Sequence, residues 1–314
     1  MAAAPKVEIP LGVTDATVEA GGRSVRLTNL PKVFFPETGL TKGGLLQYYA
    51  DVAPVLLPHI RDRTMVMKRY PNGQTGDFFF MKRTPAGAPS WLRHCALPHD
   101  ETDVIDAPVI DDLPALLWVV NLGCIDLNEW YARTDDVNRP DYLHFDLDPV
   151  KNGGRTPFDV VLQVALQVRA GLAEIGMPCY AKTSGSAGVH VYVPIVRGPE
   201  QHDVWRFAKA FATAMAARHK DTITIEYATK KRPKGYVLVD YNQNAWGRTL
   251  ASVYSVRPTP LATVSTPVTW DEVERGFAIE DFRVDNVRAR IAERGDLWKP
   301  LLAKTKRVDL AKFL

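Results

Sequence analysis

The chain has 314 residues, 46% of them apolar, a formal net charge of +3 and three cysteines, Cys95, Cys124 and Cys179. That length and composition allow a sizeable buried core and exclude a small stapled scaffold. Three cysteines without close spacing argue against a disulfide framework or zinc knuckle, no window reaches the roughly 18 uninterrupted apolar residues of a membrane span, and "MAAAPKVEIP" lacks an apolar signal core, so a soluble cytoplasmic protein is expected.

The first twenty or so residues read as an extended arm or early strand. "RSVRLTNLPKVFFPETGLTKGGLLQYYADVAPVLLPHI" then reads as strand, loop and helix. Thr41 can cap that helix, Leu45, Leu46, Tyr48, Tyr49 and Val52 form its apolar stripe, and Gly43 and Gly44 weaken its first turn. "RTMVMKRYPNGQTGDFFFMKR" holds two strand-like runs around the turn signal Pro71-Asn72-Gly73, a hairpin or a longer β connection. From Leu113 to Tyr131 a buried helix breaks at Gly123 into a short strand. "TPFDVVLQVALQVRAGLAEIG" is the clearest helix, with Thr156 as N-cap, Pro157 first in the helix and Gly176 as terminator. A strand pair around "CYAKTSGSAGVHVYVPI", the helix "PEQHDVWRFAKAFATAMAARH", the strand "GYVLVDYN" and two short amphipathic helices, "TWDEVERG" and "NVRARIAERG", complete an α/β (mixed α+β) pattern of helices on a mixed sheet.

Charge inside apolar strands points to chemistry. In "YLHFDLDPV" a period of two puts His144, Asp146 and Asp148 on one face, with the two carboxylates about 7 Å apart along the strand. Such a pair can converge on divalent cations, and Pro149 leaves the acids at the strand's mouth. Asp240 ends "YVLVD" in the same way. In "KTSGSAGVHVYVP", Ser184, Gly185, Ser186 and Gly188 form a small-residue turn whose amides and hydroxyls can approach phosphate, with His190 and Tyr192 on one face of the next strand. Taken singly, each has an ordinary reading as a half-exposed strand, a strand-end turn residue or a plain loop; their joint appearance favours the chemical one. Basic residues lie at Lys32, Lys42, Lys68, Arg69, Lys82, Arg83, Lys230 to Lys234, Arg248 and Arg257, and the earlier ones interleave with Phe78, Phe79 and Phe80. Aromatic faces stack on bases while cations neutralise phosphates, so this combination suits nucleic acid. Alternation turns at least one of the three phenylalanines away from the core.

Together these motifs resemble the archaeo-eukaryotic primase superfamily, specifically the polymerase domain of bacterial ligase D of non-homologous end joining and its stand-alone relatives. "HFDLDP" resembles the D-x-D metal motif, "SGSAGVH" the nucleotide motif and "VLVDYNQN" the final metal carboxylate. The resemblance implies a primase-polymerase core of mixed, largely antiparallel sheets flanked by helices. It implies one domain over residues 1–314, with a DNA-end and 5′-phosphate-binding part at about 20–130, a catalytic core at about 131–265 and a C-terminal helical segment after it. Asp146, Asp148 and Asp240 are then the catalytic residues and the ligands of two divalent ions, Mn²⁺ or Mg²⁺. Lys68, Ser184, Gly185, Ser186, His190 and Arg257 bind the nucleotide; Asn29, Lys32 and Lys42 bind a downstream 5′-phosphate; Phe79 and Phe80 form a stacking platform.

The implied activity is template-directed addition of one or a few nucleotides, with ribonucleotides preferred and Mn²⁺ supporting activity, at DNA gaps or breaks. The expected partners are nucleoside triphosphates and gapped or broken DNA with a 5′-phosphate, joined by a separate ligase and an end-binding protein. The expected state is a bacterial monomer associated with the nucleoid when on DNA. Two positions depart from the family pattern: Ala187 stands where a Lys is common, and Asn128 where a His is common. Both bear on the nucleotide pocket. Two other readings compete. "FDLDPV" also fits the D-x-D-x-[VT] signature of haloacid-dehalogenase-type phosphatases, with Asp146 as nucleophile and Asp148 as general acid, although nearly half the chain precedes it and the late acidic pair is absent. A non-catalytic DNA-end-binding protein would explain Lys32, Lys42 and the phenylalanines but not three strand-end aspartates.

Overall fold

A computed structural model describes residues 7–98, 103–151, 153–154 and 156–314. In chain order the first elements are β1 (Ala16–Ala20), β2 (Arg23–Leu27), β3 (Val33–Phe35), β4 (Leu40–Thr41), α1 (Lys42–Ile60), β5 (Met65–Arg69), β6 (Phe79–Met81), β7 (His94–Pro98), β8 (Val104–Pro108), α2 (Leu113–Asn121) and β9 (Cys124–Glu129). Next come β10 (Tyr142–Pro149), α3 (Phe158–Glu174), β11 (Tyr180–Thr183), β12 (Val189–Pro194), α4 (Gln201–Arg218), β13 (Ile223–Thr224) and β14 (Val237–Asp240). The last are β15 (Leu250–Ala251), β16 (Pro267–Val268), α5 (Trp270–Arg275) and α6 (Val287–Arg294), with short 3-10 turns between. The expected early strand is β1; the six residues that open the chain lie outside the described residues.

The chain divides into two compact units. One comprises Met1–Trp130, Ala251–Val264 and Phe282–Asp296, the other Tyr131–Leu250, Ser265–Asp281 and Leu297–Leu314.

In the first unit, α1 starts where the sequence signals it: the Thr41 side chain accepts the Gly44 N–H at 3.1 Å. Its stripe buries Tyr48 and Tyr49 completely, and their hydroxyls donate to Tyr254 O at 2.9 Å and Ile125 O at 2.7 Å. Two large aromatic bodies are thereby buried without stranding a polar atom. Strands β9, β5 and β6 pair antiparallel in that order, so that Lys68 faces Asp126 on one side and Phe80 on the other. Gly123, at φ 83°, turns α2 into β9.

The second unit is built on a six-stranded sheet in the order β13, β14, β10, β12, β11, β16. All neighbours are antiparallel except β13 and β14. Leu143, Phe145 and Leu147 supply one fully buried face of β10, where Phe145 meets Phe211 of α4 at a ring separation of 5.0 Å. A Cβ at Gly171 would stand 2.6 Å from Met215 Sδ, so a glycine there permits the close approach of α3 and α4.

One helix start differs from expectation. Helix α3 begins at Phe158, with Pro157 in extended conformation before it, and Thr156 does not cap it. A residue preceding proline is pushed out of the helical region, and the Thr156 hydroxyl instead closes the loop after β10 against Val150 O (3.1 Å) and Tyr236 O (2.8 Å).

The segment near the carboxyl end is tied to this sheet. Val308 exchanges backbone bonds with Pro194 and Val196, and Arg307 donates to four carbonyls, those of Asp141, Ile195, Leu301 and Ala303. Arg307→Ala is expected to cost about 2–3 kcal/mol in urea unfolding, because it strands several half-buried acceptors. Arg307→Lys should restore only part of that, since one ammonium cannot span the fork of a guanidinium. Among the described residues no helix is long and apolar enough to cross a membrane.

Candidate active site

Sheet register in the second unit sets four polar residues in one row. Asp146 of β10 pairs directly with Asp240 of β14 and with His190 of β12, and His190 pairs with Lys182 of β11. Directly paired residues project from the same face, so Asp240, Asp146, His190 and Lys182 share a face across four adjacent strands. All four are buried, which excludes the reading of Asp146 as a solvent-facing residue. Asp148 lies two residues along β10 on the same face and is half-buried.

The three acids are strongly coupled. The charge on Asp146, then burial, then Asp240 push the Asp148 carboxyl up to about 8, against the pull of Lys151 and Arg232. Asp240 is held on both oxygens: Oδ1 accepts the Tyr227 hydroxyl (2.6 Å) and the Asn242 N–H (2.8 Å), and Oδ2 accepts Gln243 Nε2 (2.8 Å). Nε2 of His190 stands 3.3 Å from Asp146 Oδ1.

Among the described residues no group of three His, Cys, Asp or Glu side chains forms a metal cage. The donor set nevertheless fits hard divalent ions. Mg²⁺ in particular takes one or two carboxylates and completes its shell with water and substrate phosphates, and a cation would relieve the repulsion that perturbs Asp148.

The Ser184–Gly188 turn is organised around its own serine. The amides of Ser186, Ala187 and Gly188 all donate to Ser184 Oγ, at 3.2, 3.0 and 2.9 Å. The hydroxyl thus occupies the position that an anion oxygen would take in such a nest. His144 shares the face of Asp146 as expected, two residues back along β10, but it is buried against Tyr192 at a ring separation of 5.1 Å, and burial pushes its imidazole down to about 3. It is a neutral packing residue.

In the first unit the structure brings Asn29, Lys32 and Lys42 together at the amino end of α1. The Lys32 N–H donates to Asn29 O and the Lys42 N–H to Lys32 O, while Lys42 Nζ reaches Thr28 O at 2.7 Å. The first three amides of α1 are taken by Lys32 O, Leu30 O and Thr41 Oγ1, and Lys32 Nζ donates to Pro71 O and Asn72 Oδ1 at 2.8 and 2.9 Å, so this end of the helix offers an anion chiefly the charge of its two lysines. Elsewhere in the same unit Lys68 Nζ stands 4.1 Å above the Phe78 ring, with Asp126 and Arg257 paired at 3.4 Å and felt electrostatically by Lys68. Phe78, Phe79 and Phe80 are exposed by 50%, 44% and 59%, so the expectation that at least one is turned from the core is met by all three. Phe79 and Phe80 belong to β6, a short strand at a sheet edge, and Phe78 immediately precedes it.

The sequence reading passed over Lys182, Asp126, Tyr227 and Gln243. For the first two a signal was present: a charge inside an apolar run, in "CYAKTSG" and "LGCIDLNEW", the same cue that exposed Asp146.

Residues 41–298 match the family described as LigD, primase-polymerase domain. The chain belongs to the LigD primase-polymerase family. Members of this family are metal-dependent, DNA-directed nucleotidyltransferases. The multifunctional non-homologous end joining protein LigD of Mycolicibacterium smegmatis is 33% identical over 91% of this chain, and the bifunctional LigD of Bacillus subtilis 30% identical over 86%. The matched chain spans 37% and 43% of those two proteins. The solved polymerase domain from Mycobacterium tuberculosis ligase D in complex with DNA superposes with a TM-score of 0.83 at 32% identity, covering 88% of this chain and 98% of that one. The largely antiparallel mixed α/β fold expected for a primase-polymerase is therefore the one found. A family match running through the D-x-D strand sets the phosphatase reading aside.

Proposed function

We propose that this chain is a template-directed nucleotidyltransferase that adds one or a few nucleotides, ribonucleotides by preference, at gaps or breaks in 5′-phosphorylated DNA during end-joining repair. The observation that carries the reading is the register that makes Asp146 and Asp240 direct cross-strand partners, with Asp148 two residues along β10 on the same face. Three carboxylates on one face, two of them buried, repel one another, and a shared cation would offset that repulsion.

In the proposed mechanism Asp146, Asp148 and Asp240 hold two divalent ions, Mn²⁺ or Mg²⁺. Bound ions supply charge stabilisation at the phosphoryl oxygens and lower the pKa of the attacking hydroxyl. Asp240, fixed by Tyr227, Asn242 and Gln243, orients the primer 3′-hydroxyl. That oxygen gives up its proton to solvent and bonds to the α-phosphorus as the bond to the bridging oxygen breaks, and pyrophosphate leaves. In the second unit His190, Ser184, Gly185 and Ser186 are the proposed triphosphate contacts. In the first unit, considered by itself, Lys68 and Arg257 are proposed nucleotide contacts and Phe79 and Phe80 a proposed stacking platform for a terminal base or base pair.

The test is primer extension on gapped, 5′-phosphorylated DNA with Mn²⁺ and NTPs against dNTPs. Extension that needs a template and favours NTPs supports the reading; DNA binding without any incorporation would leave only an end-binding protein.

Asn29, Lys32 and Lys42 would take the downstream 5′-phosphate, and this has a pH signature. Burial, and then the neighbouring charge of Lys32, push the Lys42 ammonium down to about 8. Its charge is present below that value and lost above it. The preference for 5′-phosphate over 5′-hydroxyl DNA, measured by competition binding, should therefore shrink about tenfold as pH rises through 8 to 9, with a midpoint moved upward by the bound phosphate. In Lys42→Met it should be weak and flat with pH.

A further inference from the structure

The polar row in the second unit ends on an amine that the proposed chemistry does not use. Lys182 is fully buried, and its Nζ lies 2.8 Å from His190 Nδ1 and 2.6 Å from Ser265 Oγ. Ser265 Oγ in turn donates to Thr183 O at 2.8 Å. An ammonium has three donors and no acceptor, so a charged Lys182 obliges both Nδ1 and Ser265 Oγ to accept. The serine already spends its own proton on Thr183 O, which agrees with that direction. A neutral imidazole that accepts at Nδ1 carries its proton on Nε2, the nitrogen 3.3 Å from Asp146 Oδ1.

We propose that Lys182 is a positioning residue that locks His190 in the Nε2–H tautomer and aims that N–H toward the Asp146 side of the sheet. The functional half of this inference rests on the nucleotidyltransferase reading. A donor N–H there can meet a phosphate oxygen of the incoming nucleotide, whereas the other tautomer would turn a lone pair toward an anion. Cross-strand pairing of Lys182 with His190, and of His190 with Asp146, keeps the three in line. The arrangement resembles the way a ligand histidine is oriented by the group on its far nitrogen, with an ammonium in place of the usual carboxylate or carbonyl.

The test has two independent arms. In ¹⁵N-labelled protein, with His190 assigned through His190→Gln, long-range ¹⁵N–¹H correlation should show Nε2 protonated and Nδ1 bare; Lys182→Met should lose that preference and Lys182→Arg, a donor-only side chain, should keep it. In titrations with ATP and Mn²⁺, Lys182→Met should bind about tenfold more weakly and Lys182→Arg close to wild type, with gapped-DNA affinity unchanged in both. Ser265→Ala, which frees Lys182 on one side only, should give a smaller change of the same sign and serves if Lys182→Met does not fold. A wild-type His190 protonated at Nδ1, or a folded Lys182→Met with unaltered tautomer and ATP affinity, overturns the proposal. Absence of nucleotide binding by wild type would instead sink the nucleotidyltransferase reading, while the tautomer measurement still decides the role of Lys182.

Discussion

Exchanging Asp148 for asparagine is expected to cut primer extension about 10³-fold while making the metal-free protein more stable, by about 1–2 kcal/mol in urea unfolding. The two effects share one cause. In the metal-free state Asp148 stands against Asp146 and Asp240 on a buried face, and its carboxyl is pushed up to about 8 chiefly by the Asp146 charge. An asparagine needs no proton on folding, whereas Asp148, ionised in the unfolded chain, must bind one below about pH 8 or repel Asp146 above it; removing a ligand deprives the phosphoryl oxygens of stabilisation at the moment charge develops. Binding of 5′-phosphorylated DNA, assigned to residues of the other unit, should be unchanged. A purely structural Asp148 would show neither the gain in stability nor the selective loss of activity, so chemical denaturation and steady-state extension on the same preparation distinguish the cases. Loss of stability in Asp148→Asn would mean that the acids are satisfied without a cation, and the metal reading would fail.

How much of this was legible before any coordinates can be judged residue by residue. Asp146, Asp148 and Asp240 were legible because a charge ending an apolar strand is expensive, and the cost is visible in one dimension. Their meeting was not, because it depends on the register between β10 and β14, set by pairings nearly a hundred residues apart in sequence. Lys182 illustrates the same limit: its neighbour in the sheet is His190, but its second partner, Ser265, lies in a segment with no periodicity to place it. Local signals failed where two of them competed. Thr156 carries a capping side chain, yet Pro157 after it forbids the geometry that a cap needs, and the hydroxyl found other acceptors. The Ser-Gly turn was recognised as an anion cradle, but a serine four residues before Gly188 can fill the cradle itself, as side-chain to backbone bonds in such loops commonly do. Nothing in Ala251–Val264 or Phe282–Asp296 announces that these segments join the unit containing α1.

Gly188→Ala should be the most damaging single methyl in the second unit. A Cβ at that position would stand 2.1 Å from Leu147 O and 3.1 Å from Leu147 C, and the obstacle is the backbone of β10 between the two acids, not a side chain that could swing away. Either the turn withdraws, giving up the bonds between Ser184 N–H and Gly188 O and between Gly188 N–H and Ser184 Oγ, both 2.9 Å, or β10 yields. The expected cost is about 3 kcal/mol, at the upper end for overpacking, measured by urea unfolding. Gly198→Ala, in the same unit with open space around its Cβ and an ordinary φ, should lie within about 0.5 kcal/mol of wild type and controls for the added methyl itself. The kinetic effect should exceed what the stability loss explains. Displacement of the turn by an ångström moves Ser184 and His190 relative to Asp146 and Asp148, and misplacement of that size costs on the order of 10²-fold in rate. The fall should therefore appear in kcat for nucleotide addition under conditions where the variant is still fully folded.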